Sequence, residues 1–174
     1  SSDGTAEAVL SAARSVAAGE RLTVIGTAAL PDGRAGKVWA MAAGLDEADR
    51  GAPAARYFLF TDADIRHPPD GLRRLVAKAE RDGLDLVSLM VRLALQGAWQ
   101  RLLVPAFVFF FQKLYPFAWV NDPDRATAAA AGGIMLVRRE ALARAGGLAA
   151  IRDALIDDCA LARAIAESGG RLWL

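Results

Sequence analysis

The chain has 174 residues, 54% of them hydrophobic, which is enough to bury the core of one domain of ordinary size. Its 21 basic and 20 acidic residues give a formal net charge of +1, which excludes the strongly basic character of nucleic-acid-binding proteins. The single cysteine, Cys159, excludes an intrachain disulfide and a cysteine-rich metal site.

Strands and helices alternate along the first half of the chain. Turn and cap residues at 2–5 precede an alanine-rich helix that is predicted to run to about Ala18. The pattern then predicts a strand at 21–27, a loop at 31–36, a helix at 37–45, a polar connection at 46–55, a strand at 57–61, a helix from Pro68 to about Arg81 and a strand at 84–91. This alternation predicts an α/β fold with a mostly parallel sheet flanked by helices.

The second half of the chain is less regular. An apolar stretch at 102–120 and a small-residue run at 126–133 lead to a short strand at 134–137, and helices are predicted near 139–145 and 157–168. The last four residues read as a strand that stops midway, and the chain begins directly in a turn. We therefore expect a single domain that is truncated at both ends.

Two carboxylates, Asp62 and Asp64, follow directly after the strand predicted at 57–61. Because residues i and i+2 of a strand share a face, both side chains can point to the same side. At the carboxyl end of a strand, such a pair suits a hard divalent cation and a phosphate-bearing ligand. The competing interpretation is a solvated loop that caps the next helix. His67, the only histidine, is either an accessory ligand or a solvated loop residue.

A second acidic pair, Asp157 and Asp158, opens the helix predicted at 157–168. Acids in a first helical turn are ordinary capping chemistry, because the helix dipole favours anions there. The functional interpretation is a general base that takes a proton from an attacking hydroxyl. Adjacent helical residues point about 100° apart, so only one of the two is expected to face a substrate.

Two glycine-containing segments are weaker candidates for ligand contacts. Gly36 and Lys37 begin a predicted helix and offer backbone N–H groups and an ammonium group to a phosphate. Gly132 and Gly133 precede a predicted strand, where the missing side chain lets a ligand approach the backbone. An ordinary helix start and an ordinary turn explain the same residues.

The apolar stretch 102–120 is interrupted by Lys113 and by two prolines, whereas a spanning helix needs about 20 mostly apolar residues. Lys113, Tyr115 and Trp119 are residue types that settle at the level of lipid headgroups. The composition favours a segment at a membrane interface. A buried core helix and a hydrophobic acceptor pocket are the alternatives, and a membrane span is the least favoured.

Taken in order, five segments resemble the motifs of family 2 glycosyltransferases with the GT-A fold: Ser2-Asp3-Gly4-Thr5, Gly36-Lys37, Thr61-Asp62-Ala63-Asp64, Gly132-Gly133 and Asp157-Asp158. Other segments are closer still to the hopene-associated glycosyltransferases, namely residues 36–40, 87–91, 107–111, 130–133 and 155–160. The resemblance spans nearly the whole chain. It implies an inverting glycosyltransferase of hexosyltransferase type that moves a sugar from a nucleotide-activated, UDP-linked donor to a lipid-type acceptor, with a hopanoid as one candidate.

The resemblance also implies roles on the donor side. Asp62 and Asp64 match the Asp-x-Asp motif that holds Mg²⁺ or Mn²⁺ and the sugar nucleotide. Gly36, Lys37 and Asp3 match nucleotide-binding positions. Many members carry an asparagine after the Gly-Lys pair where this chain has an alanine at 42.

On the acceptor side, Gly132 and Gly133 match the glycine-bearing segment of the family. Asp157 and Asp158 match its Glu-Asp pair, whose second acid is the usual base, so the resemblance assigns that role to Asp158. This chain departs from the family in having Asp at 157.

The resemblance places a nucleotide-binding strand upstream of residue 1, and an acceptor-side motif with transmembrane helices downstream of residue 174. We therefore expect a longer active protein at the cytoplasmic face of the bacterial inner membrane. Two other functions compete. A sugar-nucleotide pyrophosphorylase would show a glycine-rich phosphate loop near its start, and a GT-A-like binding domain without turnover would have little reason to keep both acid pairs.

Overall fold

The structure is a computed structural model that describes residues 4–174, and its centre is a four-stranded sheet with the order β1-β3-β2-β4. The strands are β1 (Tyr57–Thr61), β2 (Leu86–Ser88), β3 (Ile134–Arg138) and β4 (Leu172–Trp173). The α-helices are α1 (Thr5–Ser15), α2 (Gly36–Gly51), α3 (Gly71–Asp82), α4 (Ala98–Leu114), α5 (Phe117–Val120), α6 (Arg139–Arg144) and α7 (Asp157–Glu167). Two short 3₁₀ turns lie at Gly19–Arg21 and Leu148–Ile151.

The sheet is mixed, so the expectation of a mostly parallel sheet was wrong. β3 pairs antiparallel with both β1 and β2, and only β4 runs parallel to its neighbour β2. The reason lies in the segment between β2 and β3, which leaves the sheet and re-enters it at the same edge. No helix carries the chain back to the opposite edge there, so β3 runs against β2.

β3 contributes to a core on both faces of the sheet, because successive side chains of a strand point to opposite faces. Met135 and Val137 belong to a buried cluster that includes Leu161 of α7, whereas Leu136 belongs to a second cluster with Leu75 of α3. Helices therefore cover the sheet on both sides, as predicted for an α/β fold.

α2 runs back along β1, and this direction decides where its first residues lie. Its 16 residues span about 24 Å. Near the end of α2, Asp49 pairs with Arg139, which follows β3 beside the start of β1. At the beginning of α2, Lys37 reaches Asp62 just beyond the end of β1.

Two predicted elements changed type or length. The strand predicted at 21–27 does not form, because this segment has no neighbouring strand among residues 4–174 to bond with, and Val24 and Ile25 remain exposed. The connection predicted at 46–55 continues α2 to Gly51, with an ion pair between Glu47 and Arg50 one turn apart on the helix. The remaining differences are shifts of boundary, mainly at β2, at the start of α3 and at the end of α1, which stops at Ser15.

The apolar segment 102–120 forms most of α4 together with α5. None of the 17 residues of α4 is buried, which excludes a fully buried core helix. Pro105 lies within the helix, where it removes one backbone hydrogen bond. Among residues 4–174, no helix has both the length and the apolar character to cross a membrane.

Candidate functional site

The segment after β1 and the segment before β3 meet at one edge of the sheet because these strands are antiparallel. Thr61, the last residue of β1, pairs with Ile134, the first residue of β3. The ladder continues one step further, where the Asp62 N–H donates to the Gly133 carbonyl at 3.1 Å. Asp62 and Gly133 therefore lie side by side, although the sequence offered no reason to place them together.

Lys37 reaches this edge from the first turn of α2 and joins two of the predicted acids. Its Nζ lies 3.3 Å from Asp62 Oδ1 and 3.2 Å from Asp157 Oδ2. Burial by itself would lower the pKa of Lys37, but the attraction of Asp157 and of Asp62 outweighs it and raises the pKa above its ordinary value. Lys37 is thus a cation at neutral pH that links the end of β1 to the start of α7.

Asp157 is the more enclosed of the acids that Lys37 contacts. Its side chain is 13% exposed, against 43% for Asp62. Oδ2 of Asp157 has no well-aligned hydrogen bond within residues 4–174, so the ion pair with Lys37 is the contact that compensates its charge. Because Asp157 is enclosed, loss of Lys37 would leave its charge without this compensating contact.

Asp158 holds the glycine segment that precedes β3. Its Oδ2 accepts a hydrogen bond from the Gly132 N–H at 2.8 Å, and its Oδ1 accepts one from the Cys159 N–H at 2.7 Å. The second contact is capping chemistry in the first turn of α7, so one carboxylate both stabilises the helix start and contacts the site. Each oxygen keeps a further lone pair for another donor.

A side chain at Gly132 would be tightly confined. A Cβ atom there would lie 3.0 Å from Asp158 Oδ2 and 3.2 Å from Lys37 Nζ, both closer than ordinary contacts. At Gly133, a Cβ atom would lie 3.1 Å from a methyl group of Val91. Lys37 and Asp158 therefore flank the same backbone segment, and the two predicted acid regions converge on it.

The other predicted residues stand apart from this cluster. Asp64 is exposed in the turn after β1 and has no hydrogen-bond or ion-pair partner among residues 4–174. Gly36 is the first residue of α2. Asp3 lies outside the described residues. Within the described part of the chain, no three acidic, histidine or cysteine side chains are grouped closely enough to hold a metal ion.

Sequence reasoning missed Ser88, which the structure places beneath the glycine segment. Ser88 is fully buried at the end of β2, and its Oγ accepts a hydrogen bond from the Ala131 N–H at 3.2 Å. A hydroxyl inside an otherwise apolar strand was the signal that pointed to it, because a buried polar group requires a partner. Thr61 was noted only as part of a motif, and His67 was considered as an accessory ligand or a solvated loop residue.

Two cavities border the edge of the sheet at which Lys37, Asp62 and the two glycines meet, which we call the site edge. The first, of about 460 Å³, lies between α2 and β1 and is lined by Lys37, Asp62 and Gly132 at one end. The second, of about 450 Å³, lies between α4 and the chain after β2, and Val91 is among its lining residues. Because a Cβ atom at Gly133 would contact a methyl group of Val91, the second cavity adjoins the glycine segment.

The helix-covered sheet and the cluster of charges at its edge are compatible with a glycosyltransferase. Comparison with protein families agrees, since the model of glycosyl transferase family 21 matches residues 40–174. This match covers most of the chain, and the chain therefore belongs to glycosyl transferase family 21. No curated protein and no solved structure matches it.

The family match confirms the sequence-based resemblance at the level of a glycosyltransferase. It concerns family 21 rather than family 2 or the hopene-associated members. The matched range contains both acidic pairs and both glycines, whereas Gly36 and Lys37 precede it.

Proposed function

We propose that this chain is the catalytic domain of an inverting glycosyltransferase, of GT-A type, that transfers a hexosyl group from a UDP-linked donor to a lipid-type acceptor. Membership in a glycosyl transferase family supports transfer of a sugar. The observation that carries the rest is the position of Lys37, which joins Asp62 to Asp157 while Asp158 holds Gly132 beside it.

The donor binds, in this proposal, along the cavity between α2 and β1. Lys37 and the free N–H groups in the first turn of α2 present positive charge to a diphosphate at its inner end. Phosphate oxygens would then take over contacts that Asp62 and Asp157 make with the ammonium group in the ligand-free chain. Gly36 keeps the start of this helix open to the ligand.

Asp62 and Asp64 are the residues that would hold Mg²⁺ or Mn²⁺. Their carboxylates are hard oxygen ligands, and Mg²⁺ is usually bound by one or two carboxylates together with substrate phosphates. The donor set therefore fits such an ion once a diphosphate is present. A bound ion supplies neutralisation of the charge that develops on the leaving diphosphate.

Asp158 is the better placed of the adjacent acids to act as the base. Asp157 is enclosed and its Oδ2 is engaged by Lys37, whereas Asp158 accepts hydrogen bonds from two backbone N–H groups and keeps free lone pairs. The acceptor hydroxyl gives its proton to Asp158 as its oxygen attacks the anomeric carbon. The bond to the nucleoside diphosphate breaks on the opposite face, which inverts the configuration.

The exposed face of α4 supports an acceptor that lies in a membrane interface. Trp99, Leu102, Phe107, Phe110 and Leu114 are all more than half exposed. Apolar patches of this kind mark sites of contact with lipid or protein. The cavity beneath α4 adjoins the glycine segment through Val91, so an apolar acceptor is able to reach the site from this face. A hopanoid at the cytoplasmic face of the inner membrane is one acceptor of this class.

The test is titration of UDP into the full-length protein, with and without Mn²⁺, by calorimetry. We expect Mn²⁺-dependent binding, and we expect Lys37→Met to weaken it roughly 10-fold or more, because a charged hydrogen-bond partner of the diphosphate is lost. Lys78→Met is the matched control, since Lys78 pairs with Asp82 at the far end of α3. A screen of nucleotide sugars for release of UDP then identifies the donor. Heat that is independent of Mn²⁺, or release of pyrophosphate, would contradict the proposal.

A further inference from the structure

Thr61 and His67 stand on either side of the loop that carries Asp62 and Asp64. His67 Nε2 lies 2.9 Å from Thr61 Oγ1, and this contact closes the base of the loop. Thr61 Oγ1 in turn lies 3.1 Å from the Gly133 carbonyl oxygen. A chain of two hydrogen bonds thus runs from the far side of the loop to the glycine segment.

The number of available protons determines which group donates in each of these two hydrogen bonds. A threonine hydroxyl has one proton, and carbonyl oxygens only accept hydrogen bonds. The two carbonyls within reach of Thr61 Oγ1 are those of Gly133, at 3.1 Å, and Asp62, at 3.2 Å. When the hydroxyl donates to either of them, His67 must donate its Nε2–H to Thr61 Oγ1.

The Gly133 carbonyl is the point at which the donor-side loop meets the glycine segment. It accepts both the Thr61 hydroxyl and the Asp62 N–H, each at 3.1 Å. One residue earlier, the Gly132 N–H donates to Asp158. The anchor of the Asp62 loop and the anchor of the proposed base are therefore neighbouring residues.

We propose that Thr61 and His67 are positioning residues for the transfer reaction. The chain from His67 through Thr61 to Gly133 holds the Asp62–Asp64 loop at a fixed distance from the Asp158 carboxylate. The inference rests on the proposed function, which defines what is being positioned. Neither side chain touches the donor or the acceptor hydroxyl in this scheme, so both act through the loop.

Amide hydrogen exchange at Asp62, measured without any ligand, tests the link itself. We expect Thr61→Val and His67→Ala each to speed exchange of this amide about 3- to 10-fold, the size expected for loss of one hydrogen bond. The double variant should exchange no faster than either single variant, because both substitutions break the same series of hydrogen bonds from His67 to Gly133. Thr61→Ser should exchange at the rate of the parent protein.

His67→Gln and His67→Asn are the matched pair for the direction of the bond. The glutamine amide nitrogen reaches about as far as Nε2 and restores the donor, whereas the shorter asparagine does not. We therefore expect slow exchange at Asp62 in His67→Gln and fast exchange in His67→Asn. Equal rates in these two variants would overturn the inference, and so would additive effects of the Thr61→Val and His67→Ala changes. The comparison of His67→Gln with His67→Asn does not depend on how well Thr61→Val and His67→Ala fold.

Titration with UDP and Mn²⁺ separates this inference from the proposed function. Coupled exchange together with a 3- to 10-fold loss of UDP affinity in Thr61→Val supports both. Coupled exchange in a protein that binds no UDP leaves the link in place and refutes the proposed transfer from a UDP-linked donor. Normal UDP binding in Thr61→Val, with unchanged exchange at Asp62, refutes the link alone.

Discussion

The site edge and the helix α4 are organised in opposite ways. At the site edge, the charged groups of Lys37, Asp62, Asp157 and Asp158 each lie within 3.3 Å of a partner. Along α4, apolar side chains project outward, and Trp99 and Leu114 are more than 70% exposed. One region satisfies its polar groups internally, while the other leaves its apolar groups uncovered.

This difference separates what the chain stabilises by itself from what requires a second molecule. Charged groups near the sheet are costly unless they are paired, and the fold supplies those pairs. Burial of apolar surface contributes about 25 cal/mol of stabilising free energy for each Å² removed from water. The described residues do not bury the apolar side chains along α4, so this contribution is absent there. We interpret the site edge as preorganised to bind a soluble donor, and we propose that lipid covers the apolar surface of α4.

The largest expected effect comes from Asp64, the proposed metal-binding position. Asp64→Asn in the full-length protein should abolish transfer, with a loss of about 10³-fold or more, because the ion supplies several kcal/mol of charge stabilisation. It should also remove the Mn²⁺-dependent part of UDP binding. The measurement is release of UDP from the donor, with Asp124→Asn, an exposed acid in a distant turn, as the control. Turnover near that of the parent protein would defeat the assignment of Asp64.

The next effect separates the two adjacent acids. Asp158→Asn should lower kcat by about 10²- to 10⁴-fold and leave UDP affinity nearly unchanged, since a positioned base acts on the chemical step. Asp157→Asn should instead leave kcat nearly unchanged and tighten UDP binding, because it removes a carboxylate that competes with the diphosphate for Lys37. Steady-state kinetics and calorimetry on the two variants distinguish these outcomes. The reverse pattern, with the larger loss of kcat in Asp157→Asn, would transfer the role of base to Asp157.

The local parts of this site were readable in the sequence. A run of strand residues that ends in Asp62 and Asp64, and an acidic pair at a helix start, are patterns of neighbouring residues, and the structure has β1 and α7 at these places. Lys37 was assigned to a helix start for the same reason, and the structure places it in the first turn of α2.

The contacts between distant segments were not readable. The direction of β3 depends on the path of about 45 residues after β2, and no local pattern records that path. With β3 parallel to β1, Gly132 and Gly133 would lie at the opposite edge from Asp62, so the mistaken expectation would have dispersed the site. The buried hydroxyl of Ser88 and its bond to Ala131 likewise depend on tertiary packing. The sequence also could not predict that α4 is exposed, because apolar composition alone does not distinguish a core helix from a helix at an interface.

The apolar surface of α4 provides the third prediction. Replacing Phe109 and Phe110 together with serine should lower binding to liposomes about 10²- to 10⁴-fold, since each phenylalanine contributes roughly 1.5–3 kcal/mol when it is buried. Flotation of the protein with liposomes measures the loss. Leu72→Ser, which changes an exposed apolar residue of α3, is the control and should float like the parent protein. Unchanged flotation of the double variant would exclude this surface from membrane binding.

The smallest expected effect tests how tightly the site edge is packed. Gly132→Ala places a methyl group 3.0 Å from Asp158 Oδ2 and 3.2 Å from Lys37 Nζ, so one of these side chains must move. We expect about a 10-fold loss of kcat/KM, because displacement of Asp158, the proposed base, or of Lys37, the proposed partner of the diphosphate, disturbs the reacting geometry. Gly51→Ala, at the end of α2, meets no atom within 4 Å and should leave transfer unchanged. Since both variants add the same methyl group, equal activities would show that the contacts around Gly132 yield easily, and the contrast between a preorganised edge and an uncovered helix would lose its basis.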